Sequence, residues 1–502
     1  MKSEICLASR KKVKISFANL PFTISIASFF ANVLFIFNQR LSYVVIILQV
    51  LILAYLFLKQ KYVDYLGLYF IFLGSSMEFG YFLGTEKFYG FKNFRFLGLN
   101  LGIIALLPIF LVAMMNIKKV LALMNKRKLA KEILILWFFV ALISTIVGAF
   151  GIIINDNGIR YLPSVFRSFF EETYIWFLFP LMMVISILFV ISTSKKNISK
   201  LKQYILLFII CFLLTIPFSF IFGKRGTYGN VDTLIIPNVY FICPLFLLVP
   251  LSINIKHKVG YFILCFISLA LVLLYNANGK FIILLGFVVI YYVFFAWKLI
   301  KKKRTKLLFA IAILLSIVAG VFVLIETYNS SYLLRSKMDQ AISMLSFWKP
   351  DWLSNMSESP RYRFYELIDT FLEYARKPYY ILTGKGYLGS FKDYNGYFGK
   401  YYTEGGFSRE EWVIHSFYSV HETFNGVLLS SGIIGTLLYF KVAVELIKKH
   451  LLSFYFLIGA IWFLLLYGYS VTISVFGILL FVVGLLDICD HKKREDMIYD
   501  NN

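Results

Sequence analysis

Cysteine, histidine and charge are all scarce in this chain, and each shortage narrows what it can be. Five cysteines occur in 502 residues (Cys6, Cys211, Cys243, Cys265 and Cys489), all in apolar runs or at basic ends. None falls in the one long polar stretch, so neither a disulfide framework nor a cysteine metal site is expected. The five histidines are dispersed, and the closest polar-region pair, His415 and His421, lies six residues apart, a spacing that would not face one way on a helix. No metal site is expected. Only 16% of residues are charged, against 60% hydrophobic, with mean hydropathy +0.76. A soluble globular protein of this length would lack the polar residues to cover its surface.

What the chain has instead is apolar runs long enough to cross about 30 Å of hydrocarbon. Fourteen can be counted: 18–38, 41–58, 62–84, 99–116, 132–154, 174–193, 204–222, 239–255, 259–277, 280–297, 307–327, 422–446, 451–468 and 470–488. The expected fold is therefore an all-α polytopic membrane protein with about 12–14 transmembrane helices and one large external helical loop. Nothing resembles a cleavable signal peptide, since the first run follows Arg10-Lys11-Lys12-Lys14 without a small-residue cleavage site.

Charge sets the orientation. With a cytoplasmic N-terminus, the inner segments carry thirty Lys and Arg, the short outer connections nine, and the long outer segment eleven over its much greater length. An even number of runs returns Lys492-Lys493-Arg494 to the inner side, so both termini are expected to be cytoplasmic. The net charge of +24 mostly reports this topology, and basic runs at span ends without interleaved aromatics give no ground for nucleic-acid binding. Four regions follow: N-terminal spans over 1–222, central spans over 223–327, the external loop over 328–421, and C-terminal spans with a cytoplasmic tail over 422–502.

The external loop reads as amphipathic helices. Ser359-Pro360 predicts a helix start, with Ser as cap and Pro first in the helix. Phe364, Leu367, Ile368, Phe371 and Leu372 then form one apolar stripe, and Lys377-Pro378 ends it. Arg361 and Arg363 sit in its first turn, where the helix dipole disfavours cations. Arg363 reads equally as a phosphate ligand or as a plain surface residue, anchored to headgroups or paired with Glu358 and Glu366. Arg361, beside free helical N–H groups, reads as a phosphate ligand. Leu382-Thr383-Gly384-Lys385-Gly386 lacks the spacing of a nucleotide phosphate loop and on its own is a turn. His421 opens the next apolar helix, and a histidine at a membrane boundary can exchange protons near neutral pH.

These pieces in this order resemble the O-antigen ligase/polymerase superfamily, the bacterial membrane glycan polymerases (Wzy-like) and ligases (WaaL-like). The family pattern is His-Asn-x-aromatic, a short apolar helix, then Gly-x-x-Gly. Here it stands as His421-Glu422-Thr423-Phe424 and Gly432-Ile433-Ile434-Gly435, preceded by Ser359-x-Arg361 and Gly384-x-Gly386. Arg225-Gly226-Thr227-Tyr228-Gly229-Asn230 with Pro237-Asn238, and Asn276-Ala277-Asn278-Gly279-Lys280, are similar to two earlier external segments of that family. The resemblance spans about 223–440 and is specific over 359–435. Two positions depart from it: Glu422 replaces the usual Asn, and Gly279-Lys280 replaces Ser-Arg, which keeps the charge but loses the two-pronged guanidinium.

The resemblance implies a GT-C-like enzyme, inverting and metal-independent, with no cofactor. Its donor would be a polyprenyl-diphosphate-linked oligosaccharide at the outer face of the bacterial cytoplasmic membrane, and its product an O-antigen, capsule or exopolysaccharide. Catalytic roles fall to His421, Arg361 and Arg225, and substrate binding to Lys280, Arg363, Glu422, Gly384 and Gly386. Partners implied are the lipid bilayer, a chain-length regulator and a flippase. A ligase transferring finished glycan to a surface acceptor is the nearest alternative. A flippase or other transporter is disfavoured because no internal repeat is evident. A transferase using polyprenyl-monophosphate sugars is disfavoured because the first external connection, Asn38-Gln39-Arg40, lacks an acidic pair.

Single cysteines at Ser357 and Gly396, in a chain freed of native cysteines, should react with an impermeant thiol reagent on intact cells. Labelling only after lysis would overturn the orientation.

Overall fold

A computed structural model of the chain describes residues 39–75, 99–126, 128–156, 165–173, 178–194, 225–228, 231–234, 303–330, 332–398, 407–421 and 423–447, with a few short pieces between them. In chain order the elements begin with α1 (Gln39–Leu58), α2 (Tyr62–Ser75), β1 (Arg95–Phe96), β2 (Leu99–Asn100), α3 (Leu101–Met115) and α4 (Ile117–Asn125). They continue with α5 (Lys128–Ile153), α6 (Val165–Thr173), α7 (Phe179–Thr193), β3 (Arg225–Tyr228), β4 (Val231–Leu234) and α8 (Lys303–Ser330). The last are α9 (Tyr332–Leu345), α10 (Glu358–Arg376), α11 (Tyr380–Thr383), α12 (Arg409–Ile414) and α13 (Thr423–Ile447).

The described residues are predominantly helical, as expected, and depart from all-α only in two short antiparallel pairs, β1–β2 and β3–β4. Helices α1, α2, α3, α5, α7, α8 and α13 fall on seven of the apolar runs. The runs 18–38, 204–222, 239–255, 259–277, 280–297, 451–468 and 470–488 lie wholly or mostly outside the described residues. Over the described residues no single helix is long and apolar enough to cross a membrane. One bent pair, α3 with α4, passes that test jointly, across an 81° break. The break falls at Asn116, whose side-chain amide donates to the Val112 carbonyl at 2.9 Å and so caps the end of α3.

The chain divides into two compact units, residues 1–132, 179–276 and 477–502 in one, and 133–178 and 277–476 in the other. In the first, α3 packs on α2 and α7 around Leu66, Tyr69, Phe72, Leu106, Ile109 and Met183, all fully buried. The Tyr69 hydroxyl donates to the Gly102 carbonyl at 2.9 Å, which satisfies the polar end of an otherwise apolar ring.

The second unit is organised by a break in α13. Gly432 takes φ 63° and ψ −161° inside that helix, so the carbonyls one turn before it lose their helical donors. Other segments supply replacements. The Lys385 amide donates to the Leu429 carbonyl at 2.7 Å, and the Gly386 amide to the Ser430 carbonyl at 3.0 Å. The Tyr374 hydroxyl donates to the Leu428 carbonyl and, at 3.3 Å, to that of Leu429. Ser144 of α5 donates its hydroxyl to the Ser430 carbonyl at 3.1 Å, while its own carbonyl accepts from the Tyr387 amide at 2.9 Å. The Gly384-x-Gly386 turn is thus wedged between α13 and α5.

Only glycine fits there. Gly384 and Gly386 have φ 71° and 75°, and a Cβ on either would collide with backbone: Ser430–Gly432 for the first, Gly148 and Ser144 for the second. Within Gly432-Ile433-Ile434-Gly435, Gly432 receives a loop, while a Cβ at Gly435 would meet Ser431 of its own helix.

The helix expected from Ser359-Pro360 starts earlier, at Glu358 with Ser357 as its cap residue, so Pro360 is third in the helix. Proline is tolerated there because the first four helical N–H groups have no intrahelical partner. The Ser357 hydroxyl does not cap the helix but pairs with the Ser343 hydroxyl at 3.3 Å. The face that α10 buries also differs from expectation. Phe371, from the apolar stripe, is 51% exposed, and Phe364, Leu367, Ile368 and Leu372 are half-buried. Glu366, Asp369, Thr370 and Glu373 are instead fully buried, each 0% exposed. Hydrophobic periodicity points to the wrong face because this helix turns its acidic side toward specific partners.

Gly384→Ala or Gly386→Ala should lower stability by about 2–5 kcal/mol, combining positive-φ backbone strain of about 1–2 with overpacking of about 1–3. Gly396→Ala is the control: φ is 69°, nothing lies within 4 Å of its Cβ, and only the strain remains. Thermal unfolding of the three purified variants reads the difference, and equal losses would show that the wedge is not tight.

Candidate active site

The acidic face of α10 gathers two clusters. At its first end Glu366 meets the head of α13. One Glu366 oxygen, Oε1, pairs with His421 Nδ1, and the His421 amide donates to Oε1 and Oε2 at 3.3 and 3.2 Å. Asn425, one turn into α13, donates Nδ2 to Glu366 Oε2 at 3.2 Å and to the Arg363 carbonyl at 2.9 Å. Asn425 is 3% exposed, while the His421 side chain keeps 32% of its surface. The imidazole is held by Glu366 through Nδ1, and about a third of the side chain stays exposed.

Local folding delivers His421 to that position. Ser408 caps α12 with a reciprocal pair, its hydroxyl accepting from the Glu411 amide while its own amide donates to Glu411 Oε2 at 2.8 Å. The other Glu411 oxygen accepts from the Tyr418 and Ser419 amides at 2.8 and 2.7 Å, which bends the chain back after α12. Phe417 then pairs with Phe391 as a lone β-bridge, the two amides donating at 2.8 and 3.0 Å. Phe391, Phe398, Phe407, Phe417 and Leu429 bury one another, and the Phe407 ring meets the imidazole edge-on at 5.2 Å.

At the second end of α10, Lys385 donates Nζ to Glu373 Oε1 and to the Ser390 carbonyl, both at 2.7 Å, and lies 3.2 Å from Asp156. Lys377 bridges Asp156 at 2.8 Å and Glu373 at 3.2 Å, and the Tyr394 hydroxyl donates to Glu373. Arg376 stacks over the Tyr394 ring at 3.6 Å. Burial pushes the Glu373 carboxyl up, but Lys385, Tyr394 and Lys377 more than reverse that and leave it below the usual range. Burial likewise raises Asp156, and hydrogen bonding and charge from Lys377 and Lys385 bring it below its ordinary value. The network ties the connection after α5 to α10 and the glycine turn.

Between the two clusters Asp369 has no such help. It is fully buried, neither oxygen has a hydrogen-bond partner of good geometry, and the nearby Tyr394 amide offsets this only in part. Burial first, then the Asp393 charge, push it up to about 7.

The expected site residues fall out as follows. His421 is at the centre of the first cluster, and Arg363 touches it through its backbone carbonyl. Arg361 turns its guanidinium to the Ser354 carbonyl at 3.1 Å, and its amide bonds the Ser357 carbonyl, so the helix N–H beside it is already committed. Gly384 and Gly386 pack against backbone. Arg225 begins β3, opposite Leu234, in the first unit. Lys280 and Glu422 lie outside the described residues. His415 caps α12 in the left-handed region, exposed. Glu366 was read only as a partner of Arg363, and Asn425 escaped the sequence reading; the one signal was that Asn425 and His421 are four apart, on one face of a helix start. Among the described residues no three His, Cys, Asp or Glu side chains are gathered as metal ligands.

A family model described as O-antigen ligase matches residues 245–440. Over that stretch the chain is similar to the O-antigen ligase family. No curated protein matches the chain. The family's members are membrane proteins, glycosyltransferase-like ligases and polymerases that act on lipid-linked glycans. The matched region contains His421, Glu366, Arg361, Arg363, Lys280, Gly384 and Gly386, and it begins after Arg225.

Asp369 holds a proton in the folded chain that the unfolded chain, near 3.9, releases. Its stability contribution therefore falls as pH rises from about 4 to 7, and the cost is complete above 7. Asp369→Asn should melt higher than wild type at pH 8, with the gap narrowing steadily toward pH 4. A gap independent of pH would show that Asp369 is ionised throughout.

Proposed function

We propose that the chain polymerises polyprenyl-diphosphate-linked oligosaccharide repeat units into a surface polysaccharide at the outer face of the bacterial cytoplasmic membrane. The observation that carries this reading is the Glu366–His421–Asn425 cluster inside the region matched by the O-antigen ligase family, where the segment that charge bias assigns to the outer side meets the next apolar run. An acceptor sugar hydroxyl is a weak nucleophile, and the lipid diphosphate gathers charge as it leaves. The first needs a positioned base and the second fixed cations.

His421 is the base, accepting the hydroxyl proton as that oxygen attacks the anomeric carbon from the face opposite the leaving diphosphate, with inversion. Arg225, Lys280, Arg361 and Arg363 are the candidate cations, in place of a metal ion. Arg363 is favoured for the role nearest the base, because its turn of α10 is bonded to the head of α13. Glu422 and the outer-end segments complete the binding surface. Polymerisation is preferred over ligation as the reaction, with the flippase and chain-length regulator as its working partners.

Purified protein given polyprenyl-diphosphate oligosaccharide should form polymer in excess chelator. His421→Ala should lose about a hundred- to ten-thousandfold in rate. Arg363→Ala should abolish polymer, and Arg363→Lys should recover it only in part, because a point charge cannot hold two phosphate oxygens as a guanidinium does. Robust turnover by His421→Ala, or activity restored only by a divalent ion, would defeat the mechanism. Transfer to a lipid core without chain growth would make the enzyme a ligase.

A further inference from the structure

We infer that Glu366 is a positioning residue for the reaction, one that fixes the tautomer and aim of His421 and balances the charge its ring acquires. The inference rests on His421 being the base. Glu366 is 0% exposed and offers both oxygens to the head of α13: Oε1 to the His421 ring and amide, Oε2 to that amide and Asn425. A purely structural tie would be complete with the backbone amide alone. Engagement of Nδ1 as well has a chemical consequence. A carboxylate accepts, so Nδ1 carries the proton and the lone pair of the neutral ring sits on Nε2.

The step balances within these groups. The acceptor O–H bond breaks with its proton going to Nε2, and the freed oxygen forms the new bond to the anomeric carbon. The bond from that carbon to the diphosphate oxygen breaks, its electron pair leaving with the polyprenyl diphosphate. The imidazolium so formed lies against the negative charge of a carboxylate that is itself 0% exposed, where that charge is little screened. Its proton then passes to water at the exposed edge of the ring. Asn425 holds Glu366 in register by bonding it and the Arg363 carbonyl with one amide nitrogen, so the turn carrying Arg363 and the head of α13 move as one piece.

A neutral isostere separates this role from a structural one. In the full chain reconstituted in nanodiscs with polyprenyl-diphosphate oligosaccharide, Glu366→Gln should lower kcat by about a hundredfold while KM stays within about twofold. Glu366→Asp, with the charge kept but one methylene lost, should recover part of the rate. Added to His421→Ala, Glu366→Gln should cost nothing further in single-turnover rate, since a residue acting through the ring has nothing left to act on. A wild-type kcat in Glu366→Gln, or a further loss on top of His421→Ala, would overturn the assignment. Should the Gln variant not yield monodisperse protein, Glu366→Asp goes through the same cycle, and additive losses there overturn it equally. An inert His421→Ala beside a fully active Glu366→Gln defeats only the role of Glu366, whereas an active His421→Ala defeats the base itself.

Discussion

Three carboxylates buried along one helix face govern the second unit of this protein. Glu366, Asp369 and Glu373 succeed one another at spacings of three and four on α10, and none reaches water. A buried ionised carboxylate without partners is costly enough that it would rather take up a proton than stay charged. Each therefore imposes a condition on some other part of the chain. Glu366 fixes where α13 can begin, and Glu373 requires the Lys385 ammonium and with it the glycine turn. Through Lys377 and Lys385 that requirement reaches Asp156, more than two hundred residues earlier. Asp369, which draws no such partner, is the one that yields, with its affinity for a proton raised.

The glycines answer a second constraint, the orphaned carbonyls of a broken helix. The break at Gly432 removes the helical donors of Leu428, Leu429 and Ser430, and chain from three separate places supplies replacements. Leaving one such buried acceptor unsatisfied costs about 1–3 kcal/mol, so the fit of the wedge matters to the whole unit. Gly384, Gly386 and Gly432 have positive φ and no room for a Cβ, and a shared packing need accounts for glycine at all of them without any ligand.

Much of this was legible in the sequence, and the remainder was hidden for reasons of distance. Seven apolar runs coincide with helices because a helix in an apolar setting needs only length and hydropathy. The end of α10 was legible from Lys377-Pro378, since the residue before proline resists helical backbone. His421 stood out through its place before an apolar helix and through the family resemblance. The buried face of α10 did not, because periodicity counts apolar side chains and cannot see that His421 and Asn425, 55 and 59 residues away, are waiting for Glu366. Lys385 read as part of a turn for the same reason: its partners Glu373 and Asp156 share no local pattern with it.

The wedge in the broken helix bears on how a bulky glycan reaches the site. A lid hinged at both ends of residues 332–421 would have to withdraw the Lys385 and Gly386 amides and the Tyr374 hydroxyl together. At about 1–3 kcal/mol for each acceptor stranded, that motion approaches the roughly 5–15 kcal/mol that holds an ordinary domain together. The segment is better described as a clamp than as a cover. On the proposed reading, donor and growing chain would pass along its flanks, with the histidine held still while the substrates move past it.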